Sequence, residues 1–495
     1  MPPEITSAIS PFWLLPFVAM LGCIALMPFI NKHWWEKHYP KVSLGLALLA
    51  AVYYFVWAPS VAPWVRYMEE YASFIILLAS LYVVSGGILI RITRKATPLA
   101  NCALLLIGGV AANIFGTTGA SMLLIRPYIR MNRNHIRPFH IVFFIFIVSN
   151  VGGALTPIGD PPLFLGYLHG VPFWWVFEHC RPMWLTAIAI LLIVFFIIDT
   201  IEHGKFERYP DEDAGPAVGI LGIHNFLFIM VILFAVFQDG FFDVIRRIHE
   251  TGVSLPLGAK LIFNREILML AAAGCSQWLT ATEIHEKNGF NYGAIKEVAI
   301  LFVGIFSTMV PALTYLNQNV HRFPLHKPGS YYFSSGALSS LLDNAPTYLT
   351  FLEMRLGALD RDQVDQAYAE VQAMSDRKTL DVRPNLEPVE VREAVETVVR
   401  NHPEEVLAGT VSLDHVETGF LVGVRSLNAF IVAISLGSVF FGACTYIGNG
   451  PNFMVKSIAD AAGATTPSFI GYVVKFVLPI LLPTYVLIWW IFLRT

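Results

Sequence analysis

Charged side chains are scarce in this chain of 495 residues. Only 14% of its residues are Asp, Glu, Lys or Arg, whereas 55% are hydrophobic. Soluble domains carry about 25% charged residues, so a water-soluble protein of this length could not cover its surface with so few charges. The composition therefore excludes a soluble protein and predicts a polytopic membrane protein in contact with the lipid bilayer.

Basic surface, paired cysteines and nucleotide-binding motifs are also lacking. The net charge of −3 leaves no basic face suited to nucleic acid. The cysteines lie far apart and form no C-x-x-C pair, which argues against disulfide or zinc frameworks. No Walker, G-x-G-x-x-G or G-x-S-x-G pattern occurs in a suitable context, and no nucleophile–base pair is recognisable. We therefore expect no enzymatic activity, no resident cofactor and no ATP-driven pumping.

Apolar runs of the length that crosses a bilayer, roughly 20 residues, occur along the whole chain. The predicted crossings are 11–30, 42–58, 72–90, 139–168, 183–199, 219–237, 263–281, 295–316, 418–460 and 469–493. The first is expected to be a retained helix rather than a cleaved signal peptide. Two others, 139–168 and 418–460, are overlong and broken by Gly and Pro. Two further stretches, 98–125 and 330–354, are interrupted near the middle, so we predict re-entrant hairpins there.

The two halves of the chain resemble each other. SNVGGALTPIGDPPLF (149–164) aligns with SVFFGACTYIGNGPNF (438–453), 438 − 149 = 289 residues later, with about half the positions identical. TTGAS (117–121) aligns with DNAPT (343–347) at 343 − 117 = 226 residues. The difference, 289 − 226 = 63 residues, predicts an insertion in the second half, and the hydrophilic segment 355–417 has that length. We call this segment the insert. It is expected to be a solvent-exposed loop with short helices, one of them amphipathic over 386–400.

These patterns predict an all-α fold of two repeats. Residues 1–200 form the first repeat, 201–218 the linker and 219–495 the second repeat. Each repeat holds five crossings and one hairpin, and an odd number of crossings forces the two repeats into opposite orientations in the membrane.

Basic residues flank the first hairpin on both sides, which places that face in the cytoplasm by the positive-inside rule. They are Arg91, Arg94, Lys95, Arg126, Arg130, Arg133 and Arg137. The second hairpin and the insert should then lie outside, together with both termini, in a multi-pass protein of the cytoplasmic (inner) membrane. The basic residues of the outer loop 238–262 oppose this orientation, namely Arg246, Arg247 and Lys260.

Glycines and prolines interrupt two crossings at corresponding places. They are Gly152, Gly153, Pro157, Gly159, Pro161 and Pro162 in the first, and Gly442, Gly448, Gly450 and Pro451 in the second. Non-helical backbone survives at membrane depth only where it lines a cavity or is buried in protein, and half-helix ends bind ions. A simple proline kink is the alternative. Two paired clusters with hydroxyls and an acid favour a binding site.

Two aspartates stand in these motifs, Asp160 in the first break and Asp343 at the second hairpin tip. Intramembrane carboxylates are costly and usually functional. Burial favours the protonated form and bound Na⁺ the charged form, so one carboxylate can exchange H⁺ for Na⁺. The alternative is that either Asp caps a half-helix. We propose a Na⁺ site at Asp160, Asp343 and Asn344, completed by neutral oxygens and the backbone of the breaks. The other candidate ligands are Thr117, Thr118, Ser149, Asn150, Thr156, Gly159, Thr347, Thr445, Gly448, Asn449 and Asn452.

Four motifs in order resemble the ion transporter superfamily, which includes NhaD-type sodium/proton antiporters, citrate and dicarboxylate transporters and arsenite efflux permeases. They are GTTGASMLLIRP (116–127), SNVGGALTPIGDPPLF (149–164), LLDNAPTY (341–348) and YIGNGPNF (446–453). The likeness is strongest to sequences labelled citrate transporters or sodium:proton antiporters. It implies that Asp160 and Asp343 carry the exchanged ions, and it implies a homodimer. The family's Na⁺-coupled carboxylate carriers have Ser-Asn-Thr at both tips, which this chain lacks.

The leading hypothesis is secondary active Na⁺(Li⁺)/H⁺ antiport by alternating access, with no cofactor besides the transported ions. An anionic substrate would be repelled by Asp160 and Asp343 unless cations neutralise them, because the four motifs contain no Lys and only Arg126 at the edge of the first. The alternative is a Na⁺- or H⁺-coupled carrier of citrate-like carboxylates or inorganic anions that uses the half-helix N-termini.

Overall fold

The computed structural model describes residues 10–58, 60–92, 96–133, 135–203, 218–237, 265–288, 290–319 and 325–494. Most of the predicted linker 201–218 and all of the predicted outer loop 238–262 lie outside the described residues. The same holds for the first nine residues and for Arg94, Lys95, Arg246, Arg247 and Lys260.

The described residues are almost entirely helical, which confirms the all-α prediction. The helices are α1 Leu14–Ile30, α2 Lys32–Val56, α3 Ala62–Gly86, α4 Pro98–Met131, α5 Pro138–Ile147, α6 Pro161–Leu168, α7 Phe173–His203, α8 Asn225–Phe237, α9 Arg265–Leu279, α10 Thr282–Lys287, α11 Gly293–Gln318, α12 Pro328–Ser339, α13 Asn344–Gly357, α14 Arg361–Arg377, α15 Val389–Asn401, α16 Pro403–Ala408, α17 Leu413–Gly423, α18 Arg425–Phe441, α19 Gly450–Ala461 and α20 Phe469–Leu493.

Seven of the described helices are long and apolar enough to cross a membrane: α2, α3, α4, α7, α11, α18 and α20. Large apolar side chains on the outer faces of the bundle are exposed, among them Leu99, Ile470 and Trp278, the last 84% exposed. Exposed apolar surface on this scale marks contact with lipid. The protein is therefore a polytopic membrane protein, as its composition predicts.

A short antiparallel sheet interrupts the helical architecture. Strand β1 (Leu89–Ile92) pairs with β2 (Val218–Leu221), where helical crossings were predicted to end and begin. Gly222, at φ +76°, turns the chain out of β2, and the Asn225 amide donates to the Gly87 carbonyl at 2.8 Å. The prediction of helix at these eight residues is wrong because local turn geometry and pairing override their apolar character.

The first hairpin is present within α4. Gly116 has φ +72° and ψ +157°, far from helical values. The side-chain amides of Asn101 and Asn132 exchange hydrogen bonds of 2.9 and 2.8 Å, although a straight helix would separate them by about 46 Å. The chain therefore reverses at Gly116. The second hairpin consists of α12 and α13, joined by residues 340–343.

Both broken helices are also present. The first runs from α5 through irregular backbone, with a 3₁₀ turn at Val151–Gly153, into α6. The second runs from α18 through a 3₁₀ turn at Gly442–Cys444 into α19. The predicted crossing 418–460 begins too early, because α17 ends at Gly423 and α18 begins as a separate helix at Arg425 after the extended Val424.

The insert is more ordered than a loop with short helices. It contains α14, α15, α16 and the start of α17, and α15 confirms the amphipathic helix predicted over 386–400. The apolar stripe of α15 is fully buried, mainly against α17: Val391, Ala394, Val395 and Val398. The insert thus has an apolar core of its own, which its overall hydrophilic composition conceals.

Candidate functional site

Asp160 ends the irregular stretch of the first broken helix, at the position preceding α6. Its side chain makes no capping hydrogen bond. A capping carboxylate accepts from the N–H groups two or three residues into the helix, but Pro162 occupies the second helical position and has no N–H. The local sequence therefore leaves the carboxylate free to turn away from its own helix.

The Asp160 carboxylate instead meets the other three motifs. It accepts hydrogen bonds from Thr117 Oγ1 at 2.8 Å, from Asn344 Nδ2 at 2.6 Å and from Asn449 Nδ2 at 3.4 Å. These donors come from the first hairpin tip, the second hairpin tip and the second break. Asp160 is fully buried, and no Lys or Arg of the described part of the chain forms an ion pair with it. A buried carboxylate surrounded by neutral dipoles is suited to hold a proton or a small cation.

The hairpin tips hold their donors rigidly. The backbone N–H of Thr117 donates to the Gly159 carbonyl at 2.8 Å, which joins the first tip to the first break. In the second tip, Asn344 Oδ1 accepts from Ser339 Oγ at 2.7 Å, so that the amide NH₂ of Asn344 faces Asp160. Both side chains are oriented by neighbours before any ion arrives, as a preorganised site requires.

Asparagines connect the two broken helices. Asn449 Nδ2 lies 3.1 Å from both Asn150 Oδ1 and the Ser149 carbonyl, and Asn150 Nδ2 donates to Asn452 Oδ1 at 2.7 Å. Asn452 in turn donates at 2.8 Å to the carbonyls of Gly442 and Thr445 in the second break. This buried ladder satisfies amides and carbonyls that the helix breaks leave without helical partners.

Asp343 occupies a different environment from Asp160. It is half-buried at the N-cap of α13, where its carboxylate accepts from the backbone N–H of Ala345 at 3.2 Å. The hydroxyl of Thr347 donates back to the Asp343 carbonyl at 3.1 Å. The helix-capping alternative therefore describes Asp343, whereas Asp160 caps nothing with its side chain.

The remaining predicted site residues brace the breaks. Thr156 Oγ1 donates to the Asn113 carbonyl and Thr445 Oγ1 to the Ser340 carbonyl, both at 2.6 Å. A Cβ on Gly159 would lie 2.1 Å from the Gly153 carbonyl oxygen, and one on Gly448 2.6 Å from that of Gly442. Ser149 Oγ pairs with Ser121 Oγ at 2.8 Å. These residues support the site, and none of them contacts the Asp160 carboxylate.

A small cavity of about 20 Å³ lies beside the first hairpin tip. Gly116, Thr117, Thr118, Gly159 and Pro161 line it on one side, and apolar residues of α3 line it on the other. It has space for about one water molecule. Thr118, predicted as an ion ligand, therefore faces this cavity.

Two residues that position the site were not predicted. Asn113 Nδ2 donates to the Gly152 carbonyl at 2.7 Å and Asn113 Oδ1 accepts from the Leu155 N–H at 2.9 Å, so Asn113 braces the first break. Ser339 orients Asn344 in the second half. The two positions differ by 339 − 113 = 226 residues, the hairpin offset. Extending that alignment a few residues towards the N-terminus would have identified both.

Comparison with known proteins places the chain in a family. No protein of curated function matches it. A family model described as "Putative citrate transport" matches residues 6–493. The match covers nearly the whole chain, including both hairpins and both broken helices, and it supports the citrate-transporter side of the resemblance rather than the NhaD-type antiporters specifically. The protein therefore belongs to this transporter family.

Proposed function

We propose that this secondary transporter couples transport to a cation that binds at Asp160, and that it exchanges Na⁺ or Li⁺ for H⁺ by alternating access. The observation that carries the proposal is the fully buried Asp160 carboxylate, which only neutral donors from the other three motifs contact. A carboxylate in such a site accepts a proton or an alkali cation in turn, because each neutralises the same buried charge.

Oxygen atoms close to Asp160 would complete the coordination of the cation. Thr117 Oγ1 and the Oδ1 atom of Asn344 lie within one residue's reach of the carboxylate, and hard cations prefer such oxygen ligands. Asp343 adjoins Asn344 in the chain and adds negative charge near the second tip. In this mechanism Asp160 binds the ion, and Asp343 holds the helix that presents Asn344.

The test is Na⁺-driven proton movement in proteoliposomes that contain a pH-sensitive dye. We expect Asp160→Asn to reduce the activity to that of empty liposomes and Asp343→Asn to retain part of it. Asp460→Asn is a suitable control, because Asp460 forms a partly exposed pair with Lys456 outside the site. Full antiport by Asp160→Asn would exclude the mechanism.

Cation-coupled transport of a citrate-like carboxylate is the second candidate, and the family match favours it. The N-terminal ends of α6, α13 and α19 meet at the site, and helix N-termini attract anions. Uptake of radiolabelled citrate under an imposed Na⁺ or H⁺ gradient distinguishes the two functions. Citrate uptake that requires Asp160, without Na⁺-driven proton exchange, would favour the carboxylate carrier. Proton exchange without citrate uptake would favour the antiporter.

A further inference from the structure

Three potential metal ligands converge in the insert, away from Asp160. His415 Nδ1 lies 2.9 Å from Glu405 Oε2, and His402 Nδ1 lies 3.4 Å from Glu405 Oε1. One ligand atom from each residue lies within 4.8 Å of the other two. No other three His, Cys, Asp or Glu side chains come together in this way among the described residues. We call these residues the His–Glu–His cluster.

Helix ends hold the backbone of each member. His402 joins α15 to α16, and its N–H donates to the Val398 carbonyl at 2.8 Å. Glu405 lies in the first turn of α16. His415 lies in the first turn of α17, and its N–H donates to Ser412 Oγ at 3.2 Å. Because three capped helix ends supply the side chains, the cluster does not depend on a loose loop.

The turn between α16 and α17 brings His415 back over His402. Gly409 ends α16 at φ +68°, and a Cβ there would lie 2.7 Å from Ser375 Oγ. Only glycine adopts this conformation in that space without strain. The imidazole rings of His402 and His415 consequently stack with centroids 4.0 Å apart and both direct Nδ1 towards Glu405.

The ligand set and spacing suit a divalent transition metal ion. Zinc takes imidazole nitrogen and carboxylate oxygen at about 2.0–2.2 Å in tetrahedral geometry, which separates neighbouring ligand atoms by about 3.3 Å. The two Nδ1–Oε separations bracket that value. Closing around an ion requires the stacked rings to splay. The side chains can do so because His402 and His415 are about one-fifth exposed. Exposure also leaves room for water as a fourth ligand.

We propose that His402, Glu405 and His415 bind one zinc-like divalent cation that fastens α16 to α17. The site reaches beyond the insert, because His415 packs against Gly170, the residue two positions after the end of α6. Thr418 Oγ1 of α17 donates to the neighbouring His169 carbonyl at 2.6 Å. A bound ion therefore stiffens the contact between the insert and the end of the first broken helix. This site is separate from Asp160, and the inference does not depend on the proposed transport activity.

The test uses the full chain, purified in detergent without a histidine tag, and Zn²⁺ and Co²⁺ as probes. We expect calorimetry to give one Zn²⁺ per chain, and Co²⁺ to give an absorption spectrum of imidazole coordination. Glu405→Gln keeps the size of the side chain but removes the anionic ligand, and His402→Ala removes a nitrogen. Each should weaken Zn²⁺ binding by at least about 100-fold, beyond the effect of losing an outer-shell partner. His179→Ala is the matched control, since His179 is a half-buried histidine bonded to its own helix.

Zn²⁺ should also raise the thermal unfolding temperature of the wild type and the His179 variant, but not that of Glu405→Gln. If His402→Ala does not fold, Glu405→Gln still decides the result. The proposal is overturned if the wild type binds no Zn²⁺ or Co²⁺, or if Glu405→Gln binds as tightly as the wild type.

Discussion

Asn344 makes the shortest contact to the Asp160 carboxylate, at 2.6 Å. A hydrogen bond to a charged group contributes about 1.5–3 kcal/mol, and this one favours the ionised carboxylate that a cation would bind. Asn344→Ala should therefore raise the Na⁺ concentration for half-maximal antiport by about 10- to 100-fold. Asn319→Ala is the control, because Asn319 bonds only to Tyr315 of its own helix. An unchanged Na⁺ dependence in Asn344→Ala would show that the second hairpin tip does not contribute to cation binding.

Glu370 provides a pH-dependent prediction outside the membrane. Its buried side chain accepts from Arg377 Nη2 at 2.7 Å and from Arg383 Nε at 3.0 Å. Burial alone would raise the pKa of Glu370, but its hydrogen bonds and charge interactions with the two arginines outweigh burial and lower the pKa below its ordinary value of 4.5. A carboxylate with a lowered pKa stabilises the folded state above its unfolded value, and the contribution disappears as pH falls through the folded pKa.

Glu370→Gln should destabilise α14 by about 1–2 kcal/mol at pH 7, a modest amount because both arginines are partly exposed. Hydrogen exchange of peptides from α14 should then be about 5- to 30-fold faster than in the wild type at pH 7. The two proteins should converge when compared at a pH well below 4.5. Glu396→Gln, in an exposed pair with Arg392, should change little. A difference that persists undiminished in acid would contradict this assignment.

At this scale the sequence identified residue types well and individual roles poorly. Asp160 and Asp343 look alike in the sequence, since both are single acids in interrupted apolar runs. The two prolines after Asp160 prevent it from capping α6, whereas Asn344 and Ala345 after Asp343 offer backbone donors. That difference could have been inferred from the absence of a proline N–H. The convergence of Thr117, Asn344 and Asn449 on Asp160 could not, because it depends on how separate elements pack.

Among the helices and turns, Gly116 determines the reversal of α4. Its φ of +72° with ψ of +157° belongs to a region occupied almost only by glycine. Gly116→Ala should cost about 1–3 kcal/mol of stability and displace Thr117 from Asp160. Transport should therefore fall more than the loss of stability alone explains. Gly22→Ala is the control, because a Cβ on this helical glycine of α1 meets nothing within 4 Å.

Thermal unfolding in detergent and transport in liposomes measure the two effects of Gly116→Ala separately. If Gly116→Ala and Gly22→Ala unfold and transport alike, the strained tip is not what positions Thr117. The hairpins themselves were predictable from apolar arms too short to span. The strands β1 and β2 were not, because four-residue pairings depend on a partner more than 120 positions away in the sequence.

Across the whole molecule, the internal repeat predicts opposite orientations for the two halves. The structure supplies a parallel between them that the alignment does not contain: Thr156 and Thr445 each bond to a carbonyl at the end of a hairpin's first arm, at the same 2.6 Å. Equal bracing at equivalent positions supports a duplicated unit. Its orientation in the bilayer is a separate prediction that rests on the distribution of arginine and lysine.

Single cysteines in a variant lacking the native cysteines test that orientation. Asp365→Cys places a thiol on the exposed surface of α14 in the insert, and Arg133→Cys places one on the exposed flank of the first hairpin. A membrane-impermeant maleimide added to intact cells should label Asp365→Cys at once and Arg133→Cys only after lysis. The reverse pattern would mean that the positive-inside assignment is wrong while the repeats remain inverted. Labelling of both from the same side would contradict the inverted arrangement itself, because the insert and the first hairpin must face opposite sides if an odd number of crossings separates equivalent elements.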